Sequence, residues 1–164
     1  MKRLRAVSLL LALLLLAPAP AAALHARYLD IVIDREGNAT VAFEYTLPWI
    51  EQLLAFLGVV NPDRDLGQIL LAASGGEMGV LTAGNGVTTF SVKGFANVTE
   101  GPSVTTYATP VLNLSWGQAG YESSILAPLL EPDFSPDVTV IRFPDAYSVT
   151  FRDQFLIPNI THSF

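Results

Sequence analysis

The sequence predicts an α+β fold: a mostly antiparallel sheet built from hairpins, with a helix pair inserted after the first hairpin. Three observations lead there. Segments near both ends of the chain alternate apolar and polar residues about a tight turn, which is the period of a half-buried strand. The stretch 47–74 changes to helical spacing. Strands therefore come in runs broken by one helical block, an order that segregates helices to one face of a sheet.

The first element is not part of that fold. "MKRLR" is a basic start, "AVSLLLALLLLA" is an apolar run of 12 residues, and "PAPAAA" is a stretch of small residues. This is the layout of a secretory signal peptide with a small-x-small cleavage site at Ala21 and Ala23. A bilayer-spanning helix needs about 20 apolar residues, and Pro18 and Pro20 cut this run short. The expected division is a signal peptide over 1–23 and one exported domain over 24–164. An uncleaved signal segment would be the membrane attachment, if there is one.

"RYLDIVIDREGNATVAFEYTL" reads as a hairpin. Leu29, Ile31 and Ile33 alternate with Asp30, Val32 and Asp34; Val41, Phe43 and Tyr45 form the apolar face of the second arm. "LPWIEQLLAFLGVV" then sets Ile50, Leu53, Leu54 and Leu57 at helical spacing, widened by Trp49, Phe56 and Val60. So apolar a helix must be buried on most sides or meet a partner, which marks Trp49 and Phe56 as candidate partner contacts. "NPDRDLGQILLAASGG" gives the second helix. Asn61 caps it, Pro62 fits its first turn, Asp63 and Asp65 suit its positive end, and Gly75 and Gly76 stop it.

"GVLTAGNGVTTFSVKGF" returns to strand spacing around the turn signal "AGNG", with Phe90 and Val92 on one face. "YATPVLNLSWG" reads as one further strand, with Leu112, Leu114 and Trp116 pointing one way. "YESSILAPLLEP" is a short helix or loop broken by Pro128. "DVTVIRFPDAYSVTF" is a third hairpin with Tyr147, Val149 and Phe151 facing in. "QFLIPNITHSF" closes as an edge strand, where Pro158 donates no ladder hydrogen bond.

Charge narrows the partners. The whole chain carries −6, and loss of three of its nine Lys and Arg with the signal peptide leaves 6 − 15 = −9 over 24–164. Such a surface repels nucleic acid and anionic lipid heads. Four of the six asparagines, Asn38, Asn97, Asn113 and Asn159, begin an N-x-Ser/Thr triplet. With Ser and Thr at 22 of 164 positions, chance gives about one such triplet, so the excess points to N-glycosylation and export. Asn38 falls at the hairpin turn, where the sequence suggests open space for a glycan. There is no cysteine. Export with sequons and without disulfides fits an archaeal cell surface better than a eukaryotic secretory route, where small domains are often disulfide-bonded.

The chemistry-bearing residues are sparse. Two histidines without cysteine exclude the usual zinc sets. One copper arrangement survives: cleavage after Leu24 would make His25 the first residue, and His162 could complete a histidine brace, although leucine is a poor residue before a cleavage point. Asp30 and Asp34 sit about 13 Å apart on one strand face, wide for the acid pair of a glycoside hydrolase. Asp133, Asp137 and Glu131 could gather around a calcium ion, but without EF-hand spacing. No G-x-S-x-G element is present, and "GNG" and "SGG" lack the context of a phosphate loop.

The opening hairpin and the closing segments "VTVIRFPDAYSVTF" and "IPNITH" resemble extracytoplasmic domains of archaeal surface and membrane-anchored proteins. The resemblance covers both ends of the mature chain and rests on pattern. It implies a β-rich exported module and brings no catalytic residue; this sequence lacks the C-terminal membrane helix often found in that group. The expectation is therefore a glycosylated surface-associated binding or assembly module. It would have no catalytic activity and no cofactor, and its partner would be a protein or a cell-envelope component. The alternatives are a copper-binding protein using His25, and a carbohydrate-active hydrolase.

Overall fold

The computed structural model describes residues 22–47, 62–84, 86–115 and 131–164. The opening hairpin forms as its alternation dictates. β1 (Ala22–Ile33) and β2 (Ala39–Thr46) pair antiparallel, with Leu29 opposite Phe43 and Ile31 opposite Val41. Gly37 makes the turn possible at φ +83°, a left-handed conformation that costs a residue with a Cβ roughly 1–2 kcal/mol. Asp34 ties the turn together by accepting from the N–H groups of Glu36 and Asn38.

α1 (Pro62–Ser74) follows, and it buries Leu66, Ile69 and Leu70. It ends where Gly75 turns left-handed and donates its N–H to the carbonyl of Leu71. β3 (Met78–Gly84) and β4 (Val87–Val92) form the second hairpin, with Thr88, Phe90 and Val92 buried. β4 lies against β2, placing Phe90 opposite Val41.

The next strands are short: β5 (Asn97–Glu100), β6 (Thr105–Ala108) and β7 (Leu112–Asn113). β8 (Glu131–Asp133), β9 (Val138–Arg142) and β10 (Ser148–Phe151) come next, then β11 (Leu156–Ile157) and β12 (Thr161–Ser163). The large sheet has seven strands in the order β10-β9-β1-β2-β4-β3, with β8 also on β1. β8 and β9 both run parallel to β1, one after the other along the same edge. A three-stranded sheet, β12-β6-β5, and a two-stranded one, β11-β7, form a second layer. The inner faces share one core cluster: Leu29, Ile31, Phe43 and Phe90 from the large sheet, and Tyr107, Leu112, Leu114 and Ile157 from the small ones.

The α+β class with an inserted helix pair is thereby corrected. Among the described residues the molecule is mostly strand, with one helix of 13 residues. The first member of the expected pair, with Trp49 and Phe56, lies outside the described residues, as do Trp116 and all of the expected short helix or loop "YESSILAPLLEP" except Glu131 and Pro132, which open β8. "YATPVLNLSWG" is not one strand either. Pro110 has no N–H to give, and the chain passes there from β6 in one sheet to β7 in another. Tyr147, expected in the core, is 47% exposed because it lies on the turn before β10. Among the described residues no helix is long and apolar enough to cross a membrane.

Candidate functional site

The candidate residues fall into three places. The first is the small sheet. β6 is its middle strand, with Asn97 of β5 and Thr161 of β12 both opposite Ala108. Tyr107 is buried, so alternation turns Ala108 outward, and its cross-strand neighbours with it. Ile160 packs against the core and bonds to Thr109, continuing the ladder. Asn159 and Thr161 on either side of it thus face out. Asn97, Thr99, Asn159 and Thr161 are all exposed. Two sequons therefore stand on one outer face. Two strands at about 4.8 Å and two residues at about 3.4 Å put their asparagine Cα atoms roughly 12 Å apart.

The other two sequons are held differently. Asn38 is half-buried; its Nδ2 donates to Asp34 Oδ2 at 3.0 Å, and its Oδ1 accepts the Gly94 N–H at 3.1 Å. Asn113 Oδ1 accepts from the Ser115 hydroxyl at 2.6 Å and from its N–H at 3.2 Å. In both, the carboxamide is already engaged by neighbouring groups. The Asn38 carboxamide is thus held between Asp34 of its own turn and Gly94 of the β4–β5 link.

The second place is around the histidines. His25, at the start of β1, puts Nε2 2.9 Å from Asp137 and Nδ1 4.0 Å from Asp133. All three side chains are about half exposed, a solvated polar cluster. His162 is enclosed. Its ring stacks on Tyr147 at 4.1 Å and 15°, meets Phe143 and Phe164, and reaches Asp145 at 2.8 Å. Phe164 stacks in turn on Tyr107. This assembly fastens the last strand to the β9–β10 turn.

The two histidines are not brought together. Phe143 follows the end of β9 that pairs with Val32, whereas His25 lies at the other end of β1. About eight strand residues separate the two levels, roughly 26 Å. Leu24 is fully buried, so a cleavage that exposes His25 as the first residue also strips a core side chain. Among the described residues no three His, Asp or Glu side chains form a metal-ligating group. Asp30, weighed as half of an acid pair, is bonded to Arg142, whose guanidinium also approaches Tyr28. The hydrogen bond and charge of Asp30 hold the Arg142 pKa above its usual range. Asp34 is spent on its turn.

The His162 assembly has a measurable pH signature. Burial pushes the Asp145 carboxyl upward, but the hydrogen bonds from His162 and the Tyr147 N–H prevail and hold it below the ordinary 3.8. A lowered folded-state value stabilises the fold above the unfolded value, and that contribution is lost as pH falls through the folded one. Thermal melts are expected to show wild type more stable than Asp145→Asn above pH 4. The gap should close on acidification below 3.8. An equal gap at pH 2 and pH 6 would contradict the assignment.

The third place is β3, the last strand of the large sheet among the described residues. β3 pairs with β4 alone among the described strands. Val80 and Leu81 there are 55% and 57% exposed. Beside them a groove of about 450 Å³ runs between β3 and α1, lined by Gly67, Leu71, Met78 and Val80 among others. Glu77 and Lys93 pair at 2.7 Å at the strand's start, which lowers the pKa of the first and raises that of the second. Sequence reasoning missed this edge. The strand was legible, but its position at the end of the sheet was not.

Comparison with protein-family models, with curated proteins and with solved structures finds no match for this chain.

Proposed function

We propose that this is an exported, N-glycosylated binding or assembly module of a cell surface, with its rigid sheet as a platform and no catalytic role. The observation that carries the reading is the paired presentation of Asn97 and Asn159. Each sequon is extended, with its middle residue, Val98 or Ile160, packed against the core and its Asn and Thr exposed. A glycosylating enzyme needs that access to both the amide and the hydroxyl. The basic, apolar and small-residue order of the first 23 residues supports export. The pattern-level resemblance to archaeal extracytoplasmic domains agrees with it.

Glycopeptide mass spectrometry of protein recovered from its native host tests the reading. Glycan is expected at Asn97 and Asn159, with lower occupancy at Asn38 and Asn113, whose amides are engaged by neighbouring groups. Four unmodified asparagines, or a chain retained in the cytoplasm with residues 1–23 intact, would overturn it.

A further inference from the structure

Three overlapping alanine pairs, each with one residue between, lead into the domain: Ala17 and Ala19, Ala19 and Ala21, Ala21 and Ala23. Each meets the small-x-small rule of a signal-peptide cleavage site, so the sequence leaves three bonds open. The structure separates them. Ala22 pairs with Glu131 and His25 with Asp133 where β1 runs beside β8, and Leu24 is fully buried in the core cluster. A cut after Ala23 deletes the Ala22 pairing and makes Leu24 the free end. The first residues of a domain fray unless something ties them down, so a core side chain would then sit on the least held residue of the chain. A cut after Ala19 spares β1 but must break the bond to Pro20, a tertiary amide without an N–H for a peptidase to hold. A cut after Ala21 keeps β1 (Ala22–Ile33) whole and breaks an ordinary peptide bond.

We infer that the exported chain is cut between Ala21 and Ala22, so that the mature protein begins at Ala22. The inference deepens the surface-module reading and rests on its export half. In the cut, the oxygen of a water molecule goes to Ala21 as part of a new carboxylate. Both of the water's protons go to the Ala22 nitrogen, which becomes an ammonium. That cation has a fitting neighbour. β8 reads Glu-Pro-Asp and runs parallel to β1, so its acidic residues lie at the same end of the sheet as the new charge. Timing keeps the bond within reach. Glu131 is made more than a hundred residues after Ala22, so the peptidase meets this segment before β8 can pair with it.

N-terminal sequencing and intact mass of protein recovered from its native host are expected to give Ala22 as the first residue. Two variants separate the overlapping pairs, read on newly made, pulse-labelled chains so that the result does not depend on folding. Ala19→Gln spoils the pairs ending at Ala19 and Ala21, and should lower the fraction beginning at Ala22 at least tenfold. Ala23→Gln spoils only the pair ending at Ala23, and should leave that fraction unchanged.

A wild-type first residue other than Ala22 overturns the inference, as does processing that Ala23→Gln abolishes and Ala19→Gln does not. Glycosylated surface protein that keeps residues 1–21 as an anchor also overturns it, yet leaves the surface-module reading standing. An unglycosylated cytoplasmic chain with an intact start removes both.

Discussion

Phe43→Ala is expected to remove 3–5 kcal/mol of stability, the usual range for deleting a buried phenylalanine side chain. Phe43 is fully buried on β2, an interior strand of the large sheet. It lies opposite Leu29 on one neighbour and Thr88 on the other, and its ring meets Tyr45 at 5.3 Å. Strands on both sides hold the backbone, so little collapse can fill the space left behind. With a urea dependence of about 2 kcal/mol per molar, the unfolding midpoint should fall by about 2 M. A shift below about 0.5 M would mean that the core does not close around this ring.

Gly37→Ala is expected to cost roughly 2–5 kcal/mol, from two sources that a second variant separates. The left-handed φ of +83° is one. The other is crowding: a Cβ at Gly37 would stand 2.4 Å from the carbonyl oxygen of Ala96 and 2.6 Å from a methyl of Val98. Backbone cannot swing aside as a flexible side chain can, and overpacking of this kind costs a further 1–3 kcal/mol. The Gly37 carbonyl also accepts the Ala96 N–H at 2.8 Å, so relief of the clash would break that bond. Gly75, at φ +63°, has nothing within 4 Å of a built Cβ. Gly75→Ala should therefore cost only the backbone part, about 1 kcal/mol. Equal losses in the two variants, measured by thermal melts, would show that the Gly37 contact with Ala96 is not a constraint.

Those two positions also show what the sequence could reveal. Phe43 was legible as core because it lies in a hairpin arm long enough for alternation to repeat several times. The β1–β2, β3–β4 and β9–β10 hairpins were readable for the same reason, and α1 was readable from its cap, stripe and glycine stop. The small sheets were not. β5, β6, β7, β11 and β12 have two to four residues each, too few for any period to stand out. Their ladders are also set by distant partners, such as Thr161 with Ala108. The closeness of Gly37 to Ala96 is a tertiary fact with no local signal. The mostly β class is hidden for the same reason, since five of its strands are too short to show a period. For the candidate sites, the sequons were visible as motifs, but only the register shows that Asn97 and Asn159 share a face. The engagement of Asn38 was hidden in the same way.

The parallel neighbours of β1 govern when this protein can fold. One edge of β1 is completed by β2 within a few residues, but its other edge waits for Glu131–Asp133 and Val138–Arg142, more than a hundred positions later. Closing so large a loop costs chain entropy before any contact repays it, and sheets dominated by such pairings form in milliseconds to seconds rather than microseconds. β1 thus gains its second set of neighbours only once Arg142 has been made, and β6 waits longer still, for β12. The large sheet therefore cannot close until most of the chain is available, so its topology leaves it open through most of synthesis.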